Sequence, residues 1–159
     1  MTARFLCPAV ALALFAACGN GAVLGASPQR AENRPRLVAA LPACGNTPDG
    51  MCLDKKTGDI ILASPNFNDP TYPGVLFCID RDDRLSLYFA MPVHPDTKRG
   101  CPMGMSIGPD GHIYVADNQY FNDKNYKSRL IRVVRDGGKP VRAEVVAELV
   151  ATVDSAVRA

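Results

Sequence analysis

Apolar residues in this chain occur in short runs separated by turn-forming residues, which is typical of β-strands. The clearest case lies in residues 101–119. There, apolar segments at 103–107 and 112–116 flank the tripeptide Pro109-Asp110-Gly111. Because the Asp-Gly pair allows the positive φ that a short turn requires, this pattern predicts a β-hairpin.

The same pattern occurs once before, in residues 47–63, so the chain contains a repeat. Gly50-Met51 matches Gly104-Met105 at an offset of 54 residues, and the segment 60–63 matches 113–116 at an offset of 53. Two further apolar segments follow each hairpin. They lie at 75–79 and 85–89 in the first repeat, and at 129–134 and 143–147 in the second. Each repeat therefore predicts four short strands.

Four short strands per repeat are the signature of a β-propeller blade. We therefore expect an all-β fold with two four-stranded blades, at residues 41–92 and 93–150, followed by a tail at 151–159. No segment after residue 26 has a convincing helical period. Since propellers use about four to eight blades, we expect the chain to be the N-terminal part of a propeller that is incomplete as given.

The first 26 residues have the composition of a signal peptide. Arg4 precedes an apolar run at 5–17, which at 13 residues is too short to span a bilayer as a helix. Two processing sites remain open. Cys18, within Phe-Ala-Ala-Cys-Gly, is similar to the lipidated cysteine of bacterial lipoproteins, whereas an ordinary signal peptidase would cleave after Ala26. We expect export to the periplasm or cell envelope, with a lipid anchor if Cys18 is the processing site.

Composition narrows the classes of function further. With 47% hydrophobic and 21% charged residues, the chain is ordinary for a globular domain and too polar for an integral membrane protein. A net charge of +2 offers no basic patch for nucleic acid, so the expected membrane contact is through the lipid anchor alone. Residues 27–40 are rich in proline and charge and predict a linker.

Four cysteines follow the signal segment, and in an exported protein they allow three disulfide pairings. The sequence leaves the pairing open. Cys44 and Cys101 precede the two repeats in predicted loops and are the better disulfide candidates. Cys52 and Cys78 lie in predicted strands, where a buried free thiol is the simpler expectation. The spacing lacks Cys-x-x-Cys, which argues against a zinc or redox site.

Loop lengths predict which face of the fold binds ligands. Successive strands of a blade alternate in direction, so the connection into the first strand and the one between the second and third emerge on the same face. These are the long, polar connections, which is why we expect a binding site there. The face carries Asp49, Asn66, Asn68, Asp69, Asp117 and Asn118. We predict substrate contacts from Asn66, Asn68, Asp117 and Asn118, although Asn and Asp also end strands and form turns without any ligand.

Several motifs resemble a known family, the six-bladed propellers of the gluconolactonase, senescence marker protein and luciferin-regenerating enzyme group. Residues 47–54, Thr-Pro-Asp-Gly-Met-Cys-Leu-Asp, are similar to its Pro-Asp-Gly-Met-Cys-Ile-Asp motif, and residues 108–118 to its strand-turn-strand signature. The resemblance covers about residues 40–150. It implies a six-bladed propeller that hydrolyses a lactone. Related blades in NHL-type and strictosidine-synthase-like propellers keep open a non-catalytic module that binds a small sugar-like ligand.

The resemblance also implies one divalent cation, calcium or a similar ion, in the central channel. By motif, Asp49 matches a cation ligand, and a hard oxygen ligand of this kind suits calcium. Met103, its counterpart in the second repeat, cannot bind a hard cation. The alternative role for Asp49 is to form the turn before Gly50. No catalytic residue is assigned.

Residues 104–108 match Gly-x-Ser-x-Gly, the nucleophile motif of α/β-hydrolases. That motif requires a strand-to-helix turn with the serine at its apex. Here Ser106 lies within a predicted strand that continues into the hairpin, and no histidine follows His112. We therefore expect Ser106 not to be a nucleophile.

Overall fold

The computed structural model describes residues 35–122 and 127–149, and the secondary structure in these ranges is almost entirely β. A single turn of 3₁₀ helix, Ala43–Gly45, precedes the strands. The strands are β1 (Met51–Leu53), β2 (Ile60–Ser64), β3 (Val75–Ile79), β4 (Leu85–Ala90), β5 (Pro102–Ile107), β6 (Ile113–Asp117), β7 (Ser128–Asp136) and β8 (Lys139–Leu149). The predicted signal peptide with Cys18, residues 27–34 of the predicted linker, and the tail at 151–159 lie outside the described residues. No helix within those ranges is long and apolar enough to cross a membrane.

The strands form two antiparallel meanders, β1-β2-β3-β4 and β5-β6-β7-β8. Within each sheet, every strand pairs with the next one along the chain, as the short apolar runs and turn residues predict. In the first sheet, Met51 is opposite Leu62, and Leu62 is opposite Phe77. The all-β class and the two four-stranded, blade-like sheets are confirmed. The blade boundaries at 41–92 and 93–150 stay predictions.

The hairpin between β5 and β6 closes at the predicted glycine. Gly111 has a φ of +81°, which is the left-handed region that favours glycine. Its N–H donates to the Gly108 carbonyl at 2.9 Å, and the Asp110 carboxylate accepts from the backbone N–H of His112 at 3.1 Å. The Asp-Gly pair therefore forms the turn through both a side-chain bond and a backbone conformation.

The main core lies between the facing surfaces of the two sheets. Its fully or almost fully buried members from the strands are Ile61, Ala63, Leu76, Ile113, Val115, Ile131 and Val133. The first strands of the two sheets lie close together at Gly50. A methyl group added there would lie 2.3 Å from the carbonyl oxygen of Met103, which is too close for any side chain. Gly50 is thus required for close packing of β1 against β5.

The opposite face of the first sheet is also apolar but only partly covered. Leu62, Val75 and Phe77 form a second cluster there, packed against Leu41 and Cys44. Other side chains on the same face are largely exposed, namely Met51, Leu53 and Leu87. An exposed apolar face of this kind is typical of a surface that another layer of protein covers.

Cys44 and Cys101 are the better disulfide candidates by sequence, but all four cysteines of the described residues are free in the structure. Cys44 packs into the Phe77 cluster of the first sheet, whereas Cys101 is buried beside the end of β6. Cys52 and Cys78 are half-buried thiols on the strands that flank β2, as both are opposite Ile61. Burial raises the pKa of the Cys52, Cys78 and Cys101 thiols above the ordinary value.

Candidate functional site

The long connections meet at one edge of the two sheets, which we call the loop edge. It comprises the segment that enters β1 and the connections that follow β2, β4 and β6. Because β1 starts beside the end of β2, and β5 starts beside the end of β6, the antiparallel pairing brings these segments to the same edge. The opposite edge carries only the tight turns within each hairpin. The predicted segregation of long and short connections is confirmed.

Asp49 lies at the loop edge immediately before β1. Its backbone N–H donates to the carbonyl of Ala63 at 3.0 Å, which aligns the residue with the end of β2. Its side chain is exposed, and its carboxylate accepts no hydrogen bond from any residue that the structure describes. The Asp49 carboxylate is therefore available to a cation or to a ligand.

Asn118 follows β6 at the same edge and contacts the counterpart of Asp49. Its amide nitrogen lies 2.9 Å from the sulfur of Met103, and its side-chain oxygen accepts from the N–H of Tyr120 at 2.9 Å. Asn118 is only half-buried. The Ser128 hydroxyl also donates to its side-chain oxygen, at 3.5 Å, so the group that Asn118 offers to a ligand is its second amide hydrogen. Met103 contributes no oxygen beside it.

Asn66, a predicted substrate contact, is instead fully buried and holds its loop in place. Its φ is +57°, a backbone conformation that asparagine tolerates better than most residues. Its amide donates to the carbonyls of Cys44 at 2.8 Å and Pro73 at 2.7 Å. Its oxygen accepts from the N–H of Asn46 at 3.0 Å and the hydroxyl of Ser64 at 2.9 Å. With every polar atom of its amide bonded, Asn66 has no group left for a ligand.

Gln119 holds the loops of the second repeat in place as Asn66 does in the first, and it was not identified from the sequence. It is fully buried, and its amide donates to the carbonyl of Arg99 at 3.1 Å and to the Asp117 carboxylate at 2.8 Å. Its oxygen accepts from the hydroxyl of Thr97 at 2.7 Å. Gln119 lies 53 residues after Asn66, the offset of the hairpin repeat, so extending the repeat past β6 would have found it.

Asp117, another predicted substrate contact, is also fully buried. One carboxylate oxygen accepts from the N–H of Cys101 at 2.7 Å and from Gln119. The other accepts from the guanidinium of Arg129, with the Nε atom at 2.7 Å and an Nη atom at 2.6 Å. We therefore assign Asp117 to anchoring the start of β5 and to pairing with a buried arginine, and not to a surface that a ligand reaches.

The remaining polar residues of the β2–β3 connection lie at the surface. Asn68 is exposed and makes one long contact, 3.4 Å to the carbonyl of Asn46. Hydrogen bonds from the Thr71 hydroxyl and N–H hold the pKa of the Asp69 carboxyl below its ordinary value. Of the four predicted substrate contacts, only Asn68 and Asn118 therefore present polar atoms to solvent.

At the opposite edge, Asp54 and Arg135 form an ion pair between the two sheets that the sequence did not indicate. Their nearest atoms are 2.6 Å apart, and both side chains are almost fully buried. Burial acts to raise the pKa of Asp54, but hydrogen bonds from Arg135 and from the N–H of Lys56 outweigh it and lower that pKa. Ser106 lies within β5, so the strand context that argues against a nucleophile is confirmed.

The described residues do not make a cation site by themselves. They contain no cluster of three or more His, Cys, Asp or Glu side chains that could hold a metal ion. Calcium takes about six to eight oxygen ligands, whereas the described part of the loop edge offers one free carboxylate, that of Asp49, and the amide oxygens of its neighbours. Any cation bound at Asp49 would need further ligands from outside these two sheets.

Comparison with known proteins adds little to this geometry. No protein-family model matches the chain, and no curated protein does either. A solved X-ray structure of a protein assigned as a gluconolactonase is similar over 63% of this chain, with 19% sequence identity and a TM-score of 0.41. This chain spans 32% of the length of that protein.

Proposed function

We propose that this chain is part of a lactonase-like propeller hydrolase in which Asp49 supplies one ligand to a divalent cation, calcium or a similar ion. The observation that carries the proposal is the Pro48-Asp49-Gly50-Met51 motif at the start of β1. It combines a free, exposed carboxylate with a glycine that packs directly against β5. A carboxylate that a cation could bind therefore lies just before the first strand of a blade-like sheet, on the edge that carries the long loops.

The bound cation would polarise the carbonyl of a lactone and favour attack by water. The residues of this chain have simpler tasks. Asp49 offers its carboxylate to the cation, and the half-buried amide of Asn118 and the exposed amide of Asn68 offer hydrogen bonds to the hydroxyl groups of a sugar-like lactone. Asn66 keeps the loop before Asn68 in a fixed conformation. The other cation ligands would come from residues beyond the two described sheets.

Lactone hydrolysis and calcium binding by the complete propeller test the proposal. Replacing Asp49 with Asn should reduce both, because it removes a charged ligand while keeping the size of the side chain. Asp59→Asn is the matched control, since Asp59 also lies directly before a strand, β2, but at the opposite edge of the sheets. Calcium binding that is equal in the wild type and Asp49→Asn would overturn the assignment of Asp49 as a ligand.

A second candidate function is a non-catalytic binding module, and Met103 favours it. The repeat places Met103 where a second carboxylate would strengthen a cation site, and its sulfur contacts Asn118 instead. Such a module would bind a small sugar-like molecule at the loop edge without hydrolysing it. Ligand binding that survives removal of calcium, together with no turnover of any lactone, would favour this candidate over the hydrolase.

We also propose that the protein is exported and attached to the membrane through a lipid on Cys18. The support is the Ala-Ala-Cys-Gly sequence after a short apolar run. An anchor of this kind would hold the blades at the cell envelope without a membrane-spanning segment.

A further inference from the structure

A cleft lies at the loop edge. Its volume is about 520 Å³, and it is lined by Phe67, Pro70, Arg99, Phe121 and Asn122. These residues come from the three connections that follow β2, β4 and β6, so the cleft joins both repeats. Its size lies within the range of small-molecule sites, which is about 300–1,000 Å³.

Aromatic rings form one side of the cleft, and one of them is largely exposed. The rings of Phe67 and Phe121 meet edge to face, with centroids 5.1 Å apart and an angle of 68°. Tyr120 lies in a second edge-to-face contact with Phe121, also at 5.1 Å. Phe121 is nevertheless 67% exposed. Single exposed rings are common, but a cluster of rings in a cleft is typical of a surface that binds a ligand.

Arg99 supplies the positive charge of the cleft and lacks an acidic partner among the described residues. Its side chain makes one long hydrogen bond, 3.4 Å from an Nη atom to the carbonyl of Asn66. The other half-buried or buried arginines of the two sheets each pair with a carboxylate. A guanidinium that is partly removed from water and unpaired attracts an anion, and its planar geometry matches a carboxylate.

The cleft is held in shape by the two buried amides described above. Asn66 fixes the loop that carries Phe67, and the N–H of Phe67 donates to the hydroxyl of Thr47 at 2.7 Å. Gln119 binds the carbonyl of Arg99 at 3.1 Å and accepts the N–H of Asn122 on its own carbonyl at 2.9 Å. The aromatic and cationic sides are therefore preorganised, which reduces the entropy lost when a ligand binds.

We propose that this cleft binds a small aromatic carboxylate, with the ring against Phe67 and Phe121 and the carboxylate on Arg99. An aromatic ring fits better than a sugar acid because, among the residues that the structure describes, Arg99 and Asn122 are the only polar side chains of the lining, whereas sugar hydroxyls need several partners. The inference does not depend on hydrolysis at Asp49, and the two can fail separately.

Isothermal titration with phenylacetate, phenylacetamide and glucuronate tests the proposal. Phenylacetate should bind, and its neutral amide should bind at least about tenfold more weakly, because a bond to a charged group is worth roughly that factor. Glucuronate should bind more weakly than phenylacetate. Equal binding of the acid and the amide, or no binding of phenylacetate at about 10 mM, would overturn the proposal. Tighter binding of glucuronate would overturn the choice of an aromatic ligand.

Variants test the two sides of the cleft separately. Arg99→Gln should reduce phenylacetate affinity at least about tenfold without changing affinity for the amide, and Arg99→Lys should retain part of the affinity. Phe121→Ala should weaken the binding of both compounds. Because Phe121 is exposed, this variant should still fold. Arg84→Gln is the control, since Arg84 is exposed at the opposite edge and pairs with Asp82. Unchanged binding by Arg99→Gln, or an equal loss in Arg84→Gln, would contradict the assignment.

Discussion

Replacing Asp117 with Asn tests whether this residue anchors the fold. Asparagine has nearly the same shape but carries no charge, and one of its two polar atoms is a donor. Either orientation of the amide fails, because Cys101 and Gln119 donate to one carboxylate oxygen and Arg129 donates to the other. The substitution therefore places the amide N–H groups of asparagine against other hydrogen-bond donors. It also leaves Arg129 as a buried cation without its charged partner.

The expected cost follows from burial at this position. Removing one member of a buried ion pair costs about 3–5 kcal/mol, whereas an exposed pair contributes about 0–1 kcal/mol. Both side chains of the Asp117–Arg129 pair are almost completely buried. Arg129 keeps a hydrogen bond to the carbonyl of Pro92 at 3.2 Å, so we expect the lower end of the range, about 3 kcal/mol.

Urea unfolding followed by far-UV circular dichroism measures this cost. Asp82→Asn is the matched control, because it makes the same chemical change in a pair whose side chains are 75% and 66% exposed. The control should lose less than about 1 kcal/mol. A loss in Asp117→Asn as small as the loss in the control would refute the assignment of Asp117 as a structural anchor.

Three further predictions concern the contact between the sheets, the uncovered sheet face and the N-terminus. Arg135→Gln should destabilise the chain by about 3 kcal/mol at pH 7. Because the pKa of Asp54 is lowered in the folded state, the pair stabilises the fold above the unfolded pKa of about 3.9. This stability is lost as the pH falls through the lower folded pKa. Urea unfolding between pH 7 and pH 3 should therefore show a smaller difference in stability between the wild type and Arg135→Gln in acid. The two described sheets alone should self-associate through the exposed apolar face, and Leu87→Lys should reduce that association in sedimentation; a wild-type monomer with a sharp melt would contradict this. Radiolabelled palmitate should label the wild type and not Cys18→Ser, and equal labelling would exclude an anchor at Cys18.

The strands could be predicted because their signals are local. Apolar runs of five or six residues between turn residues indicate strands wherever they occur, and Gly111 marks the hairpin by a backbone conformation that few other residues adopt. The repeat then relates Gly50 to Gly104 and orders the strands into two equal sheets. None of these steps requires knowledge of distant contacts.

The roles of the polar residues could not be predicted in the same way. Asn66 and Asn118 have the same chemistry and similar positions after a strand, yet only Asn66 is fully buried. Burial depends on how the loops close over the sheet edge, which the sequence pattern does not encode. The Asp54–Arg135 pair joins residues 81 positions apart and requires the packing of one sheet on the other.

Turnover of a lactone by the complete propeller, with and without bound calcium, tests the central claim most directly. Groups that merely orient metal ligands already contribute about 10- to 100-fold to metal sites, so losing a ligand should cost at least as much. Hydrolysis should stop on chelation and return with added calcium. It should fall about 100-fold or more in Asp49→Asn, while Asp59→Asn keeps the wild-type rate. Hydrolysis that is unaffected by both the chelator and Asp49→Asn would contradict it, as would a complete propeller that hydrolyses no lactone.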